Sequence, residues 1–184
     1  RAGALLIHYR AHFVGKLAPR AAQIQRDFSG DREELTLSYQ TVGTVRNPLG
    51  PTVSIYEDLR AHQDSHRRAE LEARSCLSGP HKDDLAAWID GQPARQFASQ
   101  GQTRTAALSL KLAERELFED DTGQWPVLLL DDVLSELDAR RQDFVLDRIT
   151  GGQVFITSCE APAGEISRGK ILHIHQGALV DSPN

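Results

Sequence analysis

With 184 residues, 40% of them hydrophobic, the chain can bury one sizeable core or two small ones. A net charge of −5 excludes a protein that coats nucleic acid with its whole surface, but the charge is uneven: 11 Lys+Arg against 9 Asp+Glu over residues 1–74, and 10 against 17 over residues 75–184. Two scattered cysteines, Cys76 and Cys159, exclude a disulfide framework and a cysteine-based zinc site, and no apolar run approaches the ~18 residues of a membrane span.

A reducing, cytoplasmic setting is therefore expected, with no membrane partner. There is no secretory signal pattern. The chain opens Arg1-Ala2-Gly3 and contains no Met, so it is expected to be the later part of a longer protein.

Leu5, Leu6, Tyr9, Phe13, Leu17, Ala21, Ile24 and Phe28 recur in steps of three and four. They predict an amphipathic helix over 4–28, kinked or split at Pro19 and ended by Gly30-Asp31. Leu35, Leu37 and Tyr39 alternate within 34–41, the pattern of a half-buried strand. Gly43, Pro48, Gly50 and Pro51 predict a loop over 43–54, and the charge-rich 55–75 a mostly solvated helix. The polar run Gly79-Pro80-His81-Lys82-Asp83-Asp84-Leu85 turns into a strand at Leu85–Ile89. Asp90-Gly91 is a hairpin signal, with the chain returning through Arg95-Gln96-Phe97. Leu108, Leu112, Ala113 and Leu117 stripe a helix from Ala106 to Phe118. The aliphatic run 126–130 does not alternate, which suits a strand buried on both faces of a parallel sheet. A helix over 138–149, a strand at Val154–Thr157, and a hairpin of Lys170–His175 and Ala178–Val180 around Gln176-Gly177 complete the chain.

Two motifs carry chemistry. Asp131 and Asp132 end the aliphatic strand, where open α/β sheets bind ligands. This is the form of a Walker B segment: Asp131 suits an Mg²⁺ anchor acting largely through water, and Asp132 an acid that orients or deprotonates the attacking water. The structural alternative is a strand end whose acids cap the next helix. Ser99-Gln100-Gly101-Gln102 stands before the long helix, where Ser99 suits the N-cap and Gly101 a close backbone approach to an anion. Taken singly it is also an ordinary helix start.

Other features carry less. Gly164–Ile171 fits G-x-x-x-x-G-K, but Ile171 replaces the Mg²⁺-binding hydroxyl and Ile171–His175 alternates like a strand, so it is read as a decoy. His8/His12 and His62/His66 are spaced i, i+4 without a third ligand and are read as structural. Arg67, Arg68, His81 and Lys82 are candidates for a DNA or nucleotide surface, as are Arg10, Lys16 and Arg20, with a solvated face as the alternative.

In order, Ser99–Gln102, Val127–Asp132 and Ser135-Glu136-Leu137-Asp138 resemble the signature motif, Walker B and D-loop of an ABC-type ATPase head. More narrowly, Gly79–Leu85, Gly101–Leu108 and Leu130–Asp138 resemble the RecF family, bacterial recombination-repair ATPases related to the SMC proteins. The resemblance is specific over about 75–160 and looser over 1–74. It implies an α/β fold: part of a P-loop NTPase head of ABC type, with a helical arm over 1–74, a hairpin and signature helix over 75–124, and core strands over 125–184. It implies ATP and Mg²⁺ as cofactors and a homodimer closed by ATP. Ser99, Gln100, Gly101 and Gln102 would then reach the partner's nucleotide in trans. Asp131 would organise Mg²⁺, Asp132 would stand where many relatives carry a catalytic Glu, and Ser135 and Asp138 would lie at the dimer seam. The implied partners are duplex DNA at single-strand gaps, RecO and RecR, in helping to load RecA.

Three departures stand out. Ser158 follows Phe155-Ile156-Thr157 where a switch His is common, Lys82 stands where Arg is more usual, and no true P-loop is present. The chain alone is therefore expected not to hydrolyse ATP. An ABC-type head with another job and a non-catalytic interaction module remain as alternatives.

Overall fold

The computed structural model describes residues 1–159 and 169–180. Helix α1 (Ala2–Ser29) runs through Pro19 without the split that was one of its two expected effects. The bond that proline forfeits is the one to the Gly15 carbonyl. Pro19 is exposed and the space about Gly15 is open, so that carbonyl has room to tilt into solvent. On the other face Leu17 and Ala21 hold the helix against the core. Gly30 ends it in the left-handed conformation, φ +64°, its N–H reaching the Asp27 carbonyl.

Strand β1 (Leu35–Gln40) buries Leu35 and Leu37. Helix α2 (Thr52–Ala73) begins at Pro51, inside the expected loop, and is as solvated as expected, burying only Ile55. Strand β2 (Asp84–Ile89) pairs antiparallel with β1, Leu35 opposite Ile89 and Gln40 opposite Asp84. Asp90 (φ +51°) and Gly91 (φ +75°) make the expected two-residue turn to β3 (Gln92–Pro93). The expected return through Arg95–Phe97 is not a strand. Pro93 is the last rung opposite Trp88, and without an N–H it cannot extend the ladder. The chain instead makes one helical turn, α3 (Ala94–Phe97).

Helix α4 (Gln100–Thr122) starts six positions earlier than its apolar stripe suggests, because its first turn is fixed by a cap rather than by burial. Strand β4 (Leu128–Asp131) leads through one 3₁₀ turn at Leu134–Glu136 into α5 (Ala139–Arg148). Strand β5 (Val154–Thr157) then pairs with β4 in parallel, Leu128 opposite Val154 and Asp131 opposite Thr157. The crossover helix is short, but the unit is the βαβ turn expected of an α/β sheet. Strands β6 (His173–His175) and β7 (Ala178–Val180) form the expected closing hairpin about Gln176 and Gly177, both at positive φ, with the first strand shorter than expected.

The main core gathers Leu17, Ile24 and Phe28 of α1, Leu35 of β1, Leu112 of α4, Leu130 of β4 and Val145 of α5. A second cluster joins Ala4, Ile7, Val45 and Ile55, with Tyr39 and Tyr56 against it. Helix α1 is bound to α4 by buried polar groups as well: Ser109 Oγ donates to Gln25 Oε1 at 2.9 Å, and Gln25 Nε2 to Glu33 at 2.7 Å. Arg148 of α5 bridges Glu116 (2.9 Å) and Asp27 (3.2 Å), tying α5 to both.

Strand β4 departs from expectation in one respect. Leu128 and Leu130 are buried, but Leu129 is 70% exposed, as are about half of Val127 and Phe155 beside it. The sheet is thus covered on one face only. Lys111, Glu114, Phe118 and Pro126 rim a hollow of about 340 Å³ along the open side.

A buried ionic knot ties the Gly79–Asp84 turn to α1 and β1. The Asp83 side chain, 1% exposed, takes the Tyr39 hydroxyl on Oδ2, with Arg10 Nη1 3.7 Å away. Arg10 Nη1 also donates to the Pro80 carbonyl at 2.7 Å. Burial first, and then the Asp83 carboxylate, push the Tyr39 phenol far above its usual range. Asp83 Oδ1 has no hydrogen-bond partner, so Oδ2 carries all of its compensation. Tyr39→Phe strips one of its two partners and is expected to cost about 1–3 kcal/mol, read as a lower urea midpoint at unchanged m-value.

Candidate functional site

The two acids at the end of β4 are built into one hydroxyl-bridged loop. Thr157, opposite Asp131 on β5, donates its hydroxyl to Asp131 Oδ1 at 2.5 Å. The Asp132 N–H reaches both the Thr157 carbonyl (3.1 Å) and its hydroxyl (3.0 Å). Asp132 itself is left-handed, φ +53°, a conformation Asp adopts more readily than most residues. Its carboxylate Oδ1 and its carbonyl receive the Ser135 hydroxyl at 2.8 and 2.9 Å. Both carboxylates are exposed at the strand end. The backbone reversal at Asp132 separates their roles: Asp131 continues the strand, while Asp132 turns with the loop.

This donor set suits Mg²⁺. That ion is held by one or two carboxylates and otherwise by water and phosphate oxygens, and Asp131 presents one oriented carboxylate. Among the described residues no group of three or more His, Cys, Asp or Glu forms a self-sufficient metal cage. Thr157 is the residue that the sequence did not single out. Its signal is only its register, which needs the β4–β5 pairing to be known.

Ser99–Gln102 forms a complete capping box. Ser99 Oγ accepts from Gln102 N at 3.2 Å, and Gln102 Oε1 accepts from Ser99 N at 2.9 Å. Both side chains are therefore oriented by acceptance, which leaves the Ser99 O–H and the Gln102 amide N–H groups to donate outward. The N–H groups of Gln100 and Gly101 belong to the unpaired first turn of a 23-residue helix, the positive end of its dipole. An added Cβ on Gly101 would come within 3.9 Å of Arg141 Nη1. Arg141 also lies 3.6 Å from Asp138 Oδ2. Asp138 caps α5, accepting Arg141 N at 3.0 Å. The Arg141 side chain thus reaches from the first turn of α5 to the first turn of α4, between the signature-like and D-loop-like segments. Ser135 and Asp138 both have bonds within the chain and remain exposed.

The candidates near the arm divide. His81 and Lys82 are exposed on the turn, His81 Nε2 lying 3.1 Å from the Cys76 carbonyl. Arg67 is exposed on α2. Arg68 pairs with Glu72 at 2.9 Å. Lys16 and Arg20 pair with Asp121 and Asp120. His62 and His66 stack at 3.9 Å, and burial with the neighbouring imidazole lowers the His62 pKa. His8 and His12 meet edge to face at 4.3 Å. Residues 164–168 of the decoy Gly164–Ile171 lie outside the described residues. No helix among the described residues is long and apolar enough to cross a membrane.

No protein-family model matches the chain. It is 42% identical over 156 residues to the DNA replication and repair protein RecF of Symbiobacterium thermophilum, an alignment that covers 84% of this chain and 42% of the relative. To RecF of Bacillus subtilis it is 39% identical over 182 residues, covering 93% of this chain and 47% of the relative. Two solved structures described as the recombination mediator protein RecF in the RecFOR pathway, one with ATP and one with ATPrS, superpose with TM-scores of 0.80 and 0.79 at 34% identity. They cover 97% and 96% of this chain and 46% of theirs. The chain spans about half the length of the relatives it matches. A strand ending in hydroxyl-locked acids, a boxed helix start beside the D-loop-like turn, and these likenesses along most of the sequence lead to one conclusion: the chain belongs to the RecF family, with an α/β fold of the ABC-type ATPase class.

Proposed function

We propose that this chain is the portion of a RecF-like ATP-dependent DNA-binding protein that carries the signature motif, the Walker B strand and the D-loop. The observation that carries the reading is the loop at the end of β4, where Thr157 and Ser135 aim two adjacent carboxylates in different directions. Asp131 would hold Mg²⁺, which supplies charge neutralisation at the phosphates. Asp132 would orient or deprotonate the attacking water. The cradle for the β- and γ-phosphates would come from the part of the RecF chain that this one does not span, and the same part would cover Val127, Leu129 and Phe155. In an ATP-closed homodimer Ser99, Gln100, Gly101 and Gln102 would meet the partner's γ-phosphate. Their outward donors and the dipole of α4 favour an anion there. Ser135 and Asp138 would line the seam.

The protein would act in recombinational repair in the cytoplasm, clamping duplex DNA at single-strand gaps and assisting RecA loading with RecO and RecR. Residues 1–74 would form the arm, residues 75–124 the hairpin and signature helix, and residues 125–184 part of the ATPase core. His81, Lys82 and Arg67 would face nucleic acid.

Sedimentation of the full-length protein containing this chain tests the reading. It is expected to dimerise with ATP and Mg²⁺ but not with ADP, while the 184-residue chain alone neither dimerises on ATP nor hydrolyses it. A full-length protein that stays monomeric with ATP would overturn it. So would turnover by the isolated chain that Asp131→Asn abolishes.

A further inference from the structure

Pro80 is wedged where the first turn of α1 meets the middle of α2; a Cβ added to Gly3 would lie 3.3 Å from its ring and 3.7 Å from Leu59. Beside this wedge is an open cleft of about 210 Å³, lined among others by Arg1, Tyr56, Arg60, Gln63, Ser78 and Gly79. That volume holds about seven waters at ~30 Å³ each, enough for a phosphodiester group. We propose that this cleft is a contact site for the phosphate backbone of duplex DNA, with Arg60 and Arg1 as its cations and Arg67 continuing it along α2. The choice of DNA as the polyanion rests on the function proposed above; the cationic character of the cleft does not.

Several observations converge on it. Tyr56, Arg60, Gln63 and Arg67 are spaced four, three and four residues apart and so share one face of α2. Among the described residues no carboxylate lines the cleft. Glu70 on this face is turned inward: its Oε1 accepts the N–H groups of Leu77 (2.7 Å) and Ser78 (3.1 Å), while the exposed Asp64 stands four residues after Arg60, outside the cleft lining. The Leu77 bond above all holds the Glu70 carboxyl below its usual range. Lys16, Arg20, Arg68, Arg95, Lys111 and Arg148 are in ion pairs, while Arg46, Arg74, Lys82, Arg140 and Lys170, which lie outside the cleft, have no ion pair among the described residues. Arg1, Arg60 and Arg67 have no such partner among the described residues, in a chain whose net charge is −5.

The cleft is also held in shape. Gly79, at φ +131°, turns the chain, and Lys82 N closes on the Gly79 carbonyl at 3.0 Å. Ser78 Oγ is fixed by His62 Nδ1 at 2.8 Å, and the Pro80 carbonyl by Arg10. The buried Asp83 knot anchors the far end, so the backbone that carries the exposed His81 and Lys82 beside the cleft is already ordered before binding.

The chemistry selects a backbone rather than bases. Guanidinium forks match phosphate oxygens, and Gln63 adds a neutral donor. The single lining aromatic, Tyr56, packs on the second hydrophobic cluster and is no stacking platform for unpaired bases. Arg60 and Arg67 are about 10.5 Å apart along the helix axis, close to the axial rise of about three phosphates of one DNA strand.

The test is the salt dependence of duplex binding by the full-length protein, followed by anisotropy of a labelled 30-base-pair duplex with ATP. Arg60→Gln and Arg67→Gln are each expected to lower the slope of log affinity against log salt by about 0.9, or about eightfold in affinity at 0.1 M salt relative to 1 M. The double variant loses about twice that slope. Arg95→Gln, which removes an exposed cation already paired with Asp84, is expected to leave the slope unchanged. A double variant within twofold of wild type at every salt concentration overturns the proposal. An equal loss in Arg95→Gln also overturns it, since net charge would then be the cause. Displacement of the duplex by 10 mM inorganic phosphate at constant ionic strength would overturn it too, by showing a site for free phosphate. Sedimentation with ATP is run on the same samples. Dimerisation that persists in the variants confines a loss to the cleft, whereas a wild type that binds DNA without dimerising sinks the proposed function and leaves the cleft standing.

Discussion

Asp132→Asn is expected to lower ATP turnover by the full-length protein about 10²–10⁴-fold, the usual contribution of a positioned general base. The substitution isolates chemistry from folding. Asn tolerates the left-handed backbone at φ +53° as Asp does, and its side-chain oxygen still receives the Ser135 hydroxyl. A β-branched or bulky replacement would confound the result with strain. Turnover at saturating ATP and Mg²⁺ within threefold of wild type would remove Asp132 from the catalytic role. Asp131→Asn should behave differently. It keeps an acceptor for Thr157 but loses the charge that would hold the metal, so the half-saturating Mg²⁺ concentration should rise.

The second large effect is on stability. Gly152→Ala is expected to destabilise the chain by about 2–6 kcal/mol. Gly152 stands at φ +67°, where a side chain adds about 1–3 kcal/mol of strain. Its Cβ would also lie 2.6 Å from Trp125 Cβ, an atom that cannot swing aside because it is fixed to its own backbone. Relieving that overlap adds about 1–3 kcal/mol. The neighbourhood has little give. The Arg115 guanidinium lies 4.1 Å from the centre of the Trp125 ring and donates to the carbonyls of Thr150 (3.2 Å) and Gly151 (2.5 Å). Burial lowers the Arg115 pKa, a sign of how dry the pocket is. Gly123→Ala serves as the comparison. It has φ +71° but nothing within 4 Å of the added Cβ, so the same strain of about 1–3 kcal/mol applies alone. Urea unfolding followed by tryptophan fluorescence reads both, and a Gly152→Ala change no larger than that of Gly123→Ala would refute the packing argument.

Much of the local architecture was legible in the chain because it is written in short-range chemistry. Asp90-Gly91 demands positive φ twice and makes its turn. Ser99 and Gln102 stand at the spacing of a capping box, and the structure closes it. Leu35 and Leu37 alternate and are buried on one face of β1. The misreadings are of another kind. Pro19 suggests a kink or a split of α1, and no split occurs because packing on both sides of it outweighs one lost hydrogen bond. Arg95–Phe97 was expected to return as a strand, but Pro93 ends the ladder. The unbroken aliphatic run 126–130 promised burial on both faces, yet Leu129 is exposed. Among the described residues nothing packs over that face of the β4–β5 pair.

By itself, then, the sequence determined where the chain turns, which helix starts are capped, and that two acids follow a buried-type strand. These depend on residues within about four positions of one another, and φ preference, capping and periodicity act over that range. Only the tertiary structure decided that Thr157 locks Asp131 and Asp132, that Arg141 stands between Gly101 and Asp138, and that Arg60 and Arg1 share a cleft with Gly79. Those groupings join positions from 3 to 78 residues apart, and most of them are distant in sequence. Parallel pairing, helix packing and the buried Asp83 knot bring them together, and no local preference of the chain specifies which distant partners meet.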